Sequence, residues 1–81
     1  MVEILIKEEK IFDQFVKDLK LQSVYTDYVM SGSKGPIFIR LNEFSEIEVY
    51  EKYDTNLLKV VNIDSELDDS FSLFFKITKG I

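Results

Sequence analysis

With no Cys and no His in 81 residues, this chain cannot build a disulfide or an ordinary zinc site. Its aromatic content, or else an oligomer interface, has to stabilise it, in a size range where small domains commonly need a covalent or metal staple. The hydrophobic fraction, 46% with seven Phe and four Tyr, is enough to make one core and too little for two. The expectation is therefore a single domain over residues 1–81.

The same absences bear on chemistry. Imidazole and thiolate supply most general bases, nucleophiles and transition-metal ligands. What is left is carboxylates, hydroxyls, nine Lys and the single Arg40. Paired carboxylates such as Glu46 with Glu48, or Asp68 with Asp69, would need a cleft to separate their protonation states, and a chain this short rarely encloses one. The sequence reads as no enzyme, with no catalytic residue, no cofactor and no metal ion.

Two periodicities divide the chain. Val2–Ile6 has the composition of a short strand. From Glu8 to Lys20 the apolar residues Ile11, Phe12, Phe15, Val16 and Leu19 fall on one stripe of a helix, with Glu8 and Glu9 in its first turn and Lys17 and Lys20 in its last. After Lys20 the pattern is read as strands: Ser23–Met30, Ile37–Leu41, Glu46–Tyr53, Leu57–Ile63 and Phe71–Thr78. Between them lie Ser31–Pro36, Asp54–Asn56 and the acidic Asp64–Ser70 as loops. The order β-α-β-β-β-β-β predicts an α+β fold, a single helix packed on an antiparallel β-sheet of about five strands.

Alternation assigns the faces. Val24, Tyr28, Met30, Ile37, Ile39, Leu41, Ile47, Val49, Phe71, Leu73, Phe75 and Ile77 are expected beneath the helix. Residues 57–63 are apolar on both parities, which predicts a central strand or one covered on both sides. The opposite face is expected to carry Tyr25, Asp27, Phe38, Arg40, Glu46, Glu48, Tyr50, Phe74 and Lys76. Aromatic anchors around a lone Arg have the composition of a protein interface. The expected partner contacts are Tyr25, Phe38, Arg40, Tyr50 and Phe74, with Glu46 and Glu48 steering the encounter.

Charge narrows the partner. The net charge is −5, and residues 43–69 hold nine acids against Lys52 and Lys59. That balance opposes phosphate neutralisation, so direct nucleic-acid binding and an anionic membrane surface are both disfavoured. An acidic face suits a basic groove on another protein, such as one that itself handles nucleic acid. Two motif readings fail on their spacing. Asp64, Glu66 and Asp68 match the first ligand positions of a calcium loop, but Asp69 stands where Gly is needed and Phe75 where the bidentate Glu belongs. Ser31-Gly32-Ser33-Lys34-Gly35-Pro36 lacks the phosphate-loop spacing. Ser65 is expected to cap a short turn, with Asp68 reaching back.

The resulting expectation is a small acidic cytoplasmic protein without a membrane span, a non-enzymatic protein-binding module. The excess of Lys over Arg, with many Ile, Phe, Tyr and Asn, suggests an A/T-rich genome. Taken with the size, it points to an anti-defence inhibitor from a phage or mobile element that occupies a surface of a host protein. Two alternatives use the same aromatic face: a homo-oligomeric structural or assembly subunit, and a sheet-platform binder of single-stranded nucleic acid.

Overall fold

The computed structural model describes residues 6–53 and 55–81. The strand expected at Val2–Ile6 falls almost wholly outside them, and Ile6 caps the first helix. That helix, α1 (Lys7–Asp18), buries Phe12 and Phe15. It ends on Lys20, whose φ of 52° is left-handed. The Lys20 N–H donates to the Lys17 carbonyl and the Leu21 N–H to the Val16 carbonyl, the paired bonds of a Schellman motif with Lys in the place usually taken by Gly.

Five strands follow in sequence: β1 (Gln22–Val24), β2 (Asp27–Gly32), β3 (Gly35–Leu41), β4 (Glu46–Tyr50) and β5 (Leu57–Asn62). They form one antiparallel sheet in the order β1-β2-β3-β4-β5, each strand beside its sequence neighbour. A second helix, α2 (Ser70–Thr78), closes the chain. The fold is α+β, as the sequence predicts. The last element and several boundaries differ.

The expected strand Ser23–Met30 is two strands joined by the tight turn Tyr25-Thr26, with Tyr25 at φ 56°. The turn places Val24 opposite Asp27, so Val24 lies on the face away from the helices, against expectation. Ser31–Pro36 is mostly strand: Gly32 pairs with Gly35, leaving only Ser33-Lys34 as the loop. A side chain at Gly32 would stand 2.9 Å from the Gly35 carbonyl oxygen and 3.1 Å from Ile37 Cγ2, so this close approach requires Gly.

The larger correction is Phe71–Thr78, which is helix and not strand. Asp69 accepts a hydrogen bond from the Ser72 N–H at 2.8 Å and caps α2. Leu73 and Ile77, four residues apart, enter the core, whereas Phe71 and Phe75, expected in the core, are exposed. Residues 71, 73, 75 and 77 share a parity, and a period of two imitates a strand here as well as the i, i+4 spacing marks a helix. The turn before α2 is capped by Asp64 and not by Ser65. Asp64 Oδ1 accepts from the Glu66 N–H, and Asp68 Oδ2 accepts from the Asp64 N–H.

Among the described residues, β5 lies at the edge of the sheet, covered on neither side as fully as its composition suggests. Val49 pairs with Lys59 and Tyr50 with Leu57, so Leu58 is the extra residue of a bulge. The bulge changes the phase of the strand and explains why both parities are apolar. Leu57 and Val60 lie opposite Tyr50 and Glu48 on one face, and Val61 lies opposite Ile47 on the other. The core is the layer between the sheet and the two helices. Phe12 and Phe15 of α1 and Leu73 and Ile77 of α2 pack with Met30, Ile37, Ile39, Ile47, Val49 and Val61. All six sheet residues share one face by register. Among the described residues, no helix lies on the other face.

Candidate functional site: the open sheet face

Cross-strand pairing builds this face. Val29 stands opposite Phe38, Phe38 opposite Tyr50, Arg40 opposite Glu48, and Glu48 opposite Val60. At its centre Arg40 Nε lies 3.3 Å from Asp27 Oδ1 and 3.7 Å from Glu48 Oε1. The Arg40 guanidinium carbon lies 4.6 Å from the centre of the Tyr50 ring, within cation–π reach. Asp27 is fully buried and is the one buried charged residue among those described. A buried carboxylate on a half-exposed sheet face survives because the guanidinium beside it offsets the loss of hydration.

A chain of hydrogen bonds extends the centre toward the turn before β4. Tyr50 Oη donates to Glu48 Oε1 at 2.8 Å, and Asn42 Nδ2 donates to Glu48 Oε2 at 3.1 Å and to Glu46 Oε1 at 3.2 Å. Asn42 Oδ1 accepts from the backbone N–H of Phe44 and of Glu46, which fixes the amide in the turn. The Tyr50 hydroxyl, then the Asn42 amide, hold the Glu48 carboxyl below the ordinary carboxylate range, with Arg40 adding to it. The same bond raises the Tyr50 phenol above the ordinary tyrosine range, since ionising it would take the donor away from a carboxylate.

On the far side of Arg40 the face is aromatic. Strand β4 stops at Tyr50, before the boundary expected at Tyr53, and the chain turns so that Tyr53 lies over the sheet. Its ring centre is 6.1 Å from that of Phe38, edge to face, and 5.5 Å from that of Tyr25. Tyr25 is 86% exposed at the β1–β2 turn. A non-Gly residue with φ near 56° costs on the order of 1 kcal/mol relative to Gly or Asn at such a place. The left-handed turn holds a large ring at the surface, against Tyr53 and otherwise open to solvent.

Of the expected contact residues, Tyr25, Phe38, Arg40, Glu48 and Tyr50 come together on this face, and Glu46 joins them through Asn42. Phe74 does not. It lies on α2 in the helical layer, beside Leu19, Leu21 and Met30, and Lys76, also expected on the open face, pairs with Asp68 at 2.6 Å. Sequence alternation missed Tyr53, because its parity from Tyr50 is wrong for an unbroken strand. It also missed Leu57 and Val60, because a bulge cannot be seen in a run of apolar residues.

Among the described residues, no helix is long and apolar enough to cross a membrane. No known protein family matches this chain, and neither a curated protein nor a solved structure is detectably similar to it.

Proposed function

We propose that this protein is a non-enzymatic protein-binding module that acts by covering a surface of its partner with the open face of its sheet. The observation that carries the reading is the division of labour between the faces. Both helices pack on one side, and the other side keeps Tyr25, Phe38, Tyr53 and Val60 around a polar centre already fixed by its own hydrogen bonds. Side chains locked before binding lose little freedom on binding, which favours affinity over a surface of loose long side chains.

Charge supports a basic partner surface. Asp27, Glu46 and Glu48 outnumber Arg40 on the face, and the whole chain carries −5. Such a surface is found where a protein grips nucleic acid, and an acidic plug with aromatic anchors would compete for it. On this reading the chain comes from a phage or mobile element, works in the cytoplasm, and blocks a host protein. The aromatic trio also has the shape of a stacking platform for single-stranded nucleic acid, but three carboxylates against one guanidinium oppose phosphate binding.

Affinity capture from lysate of the source or its host tests this, using wild-type protein, Tyr25→Ala/Phe38→Ala/Tyr50→Ala, and Phe71→Ser/Phe75→Ser in the other layer. One protein retained by the wild type and by the helix variant, and lost with the open-face variant, supports the proposal. A partner lost only with the helix variant refutes it. So does salt-sensitive binding of labelled oligonucleotides with no protein captured.

A further inference from the structure

We propose that α2 pairs with α2 of a second copy in antiparallel orientation, through a second apolar stripe that the core does not use. At 100° per residue, Leu73 and Ile77 define the stripe that enters the core. Phe71, Phe74, Phe75 and Thr78 define another, about 100° wide and centred about 130° away. Phe71 is 79% exposed, Phe75 59% and Phe74 40%, and Leu67 in the preceding turn is exposed as well. Thr78 donates its hydroxyl to the Phe74 carbonyl at 2.7 Å, so its one polar side-chain group is satisfied within the helix. The residues at 71, 74, 75 and 78 follow the three-four spacing of a helix–helix seam.

Two arguments select a second copy as the occupant. The first is charge. The N-terminal end of α2 is acidic, with Asp64, Glu66, Asp68 and Asp69, and the C-terminal end carries Lys76 and Lys79. A two-fold axis perpendicular to the helix brings each acidic end against Lys79 of the other copy and opposes the two helix dipoles. A parallel pair would set acid against acid. The second is area. A Phe side chain offers roughly 200 Å² when fully exposed, so the three rings leave about 350 Å² of apolar surface per copy. Two copies would bury about 700 Å², which at the usual apolar share implies about 1,100 Å² in all, the lower limit for a specific interface. An acidic rim disfavours an anionic bilayer as the occupant.

The pairing is independent of the open face, which lies on the other side of the sheet. The dimer would present two open faces pointing away from each other and could hold two partner surfaces at once.

Sedimentation velocity on the full chain tests the inference from about 5 to about 500 μM, the range expected for an interface at this limit. The wild type should move from its 9.5 kDa monomer to twice that mass. Phe71→Ser/Phe75→Ser, which alters only exposed side chains, should stay monomeric with an unchanged far-ultraviolet spectrum. Lys79→Glu should keep the fold and weaken the dimer at least about fivefold, the loss of two symmetry-related exposed ion pairs, with a smaller loss at high salt. A wild type monomeric throughout overturns the inference. A dimer that survives Phe71→Ser/Phe75→Ser overturns it too and moves the contact elsewhere, with the outer edge of β5 the first place to look. A dimer indifferent to Lys79→Glu and to salt refutes the antiparallel arrangement.

Discussion

The two faces of one sheet are made by the same strands and follow opposite rules. On the helical side, Ile37, Ile39, Ile47 and Val49 are branched, apolar and buried, and they pack with Met30, Val61 and the helices. One residue along each strand, Phe38, Arg40, Glu48 and Tyr50 are large and mixed in polarity, and the last three are joined by a hydrogen bond, an ion pair and a cation–π contact. The first face obtains its free energy from removing apolar surface from water, which is non-directional and tolerates any shape that fills space. The second obtains order from directional contacts, each worth little net in stability but able to hold side chains in one arrangement. The fold should therefore be sensitive to the covered face, and recognition to the open one.

The strongest way to break that comparison is in the core. Ile39 is fully buried at the centre of the sheet. Ile39→Ala should cost about 2–5 kcal/mol, since it removes the burial of the side chain and leaves a cavity. For a domain with about 5 kcal/mol of total stability, that leaves it partly unfolded at 37 °C by calorimetry. An equal loss from Phe38→Ala, one residue away on the open side, would contradict the division.

Asp27 is where the two rules meet, a buried charge on the open face. Asp27→Ala removes the carboxylate facing Arg40 and should cost roughly 1–3 kcal/mol by denaturant titration, less than a fully buried pair because Arg40 retains partial access to water. Asp27→Asn keeps the shape and should recover part of the loss. If both variants are as stable as the wild type, the polar centre is ornament to the fold.

Acid sharpens the comparison next. Glu48 has a lowered pKa because Tyr50 and then Asn42 donate to its carboxylate, and the Asp18 and Asp69 carboxyls are lowered by Ser70 and by the Ser72 N–H respectively. A depressed carboxylate stabilises the native state fully above its unfolded value, 4.5 for Glu48, and the contribution is lost as pH falls through the lower native value. The melting temperature should therefore drop as pH falls below about 4.5, with Glu48 supplying the open face's share of the slope and Asp18 and Asp69 the share of the helical layer. In Tyr50→Phe the Glu48 midpoint, read by carboxyl-carbon NMR, should rise toward the ordinary value. An unmoved midpoint would show that the hydroxyl does not hold the carboxylate in solution.

The smallest effect is expected at Tyr25. Tyr25→Asn relieves the left-handed backbone and gives up one ring contact with Tyr53, for a net gain of up to about 0.5 kcal/mol, while partner capture weakens. A variant that is more stable and also binds as well as the wild type would remove the reason for placing a strained aromatic there.

How much of this could be read from the residues depends on whether a local period had one meaning. The α1 stripe had one, and Phe12 and Phe15 are buried where expected. The alternation of β3 and β4 had one as well, because the two strands pair with each other without a break and carry one apolar face, so the Arg40–Glu48–Tyr50 group was legible. Residues 71–78 had two meanings. Phe, Ile and Thr favour strands, and the choice went to a helix through the Asp69 cap and the fit of Leu73 and Ile77 beneath the sheet. Tyr53, Leu57 and Val60 depend on where β4 ends and on a one-residue bulge, and neither leaves a mark in composition.

The most direct test of the central claim is hydroxyl-radical footprinting of the aromatic side chains, on the chain alone and bound to its captured partner, at a concentration where its own association state is the same in both. The account predicts that Tyr25, Phe38 and Tyr53 lose reactivity on binding, and that Phe71 and Phe75 keep theirs. Protection of Phe71 and Phe75 with Tyr25 and Tyr53 left fully reactive would contradict it, and would move recognition from the open sheet face to the helical layer.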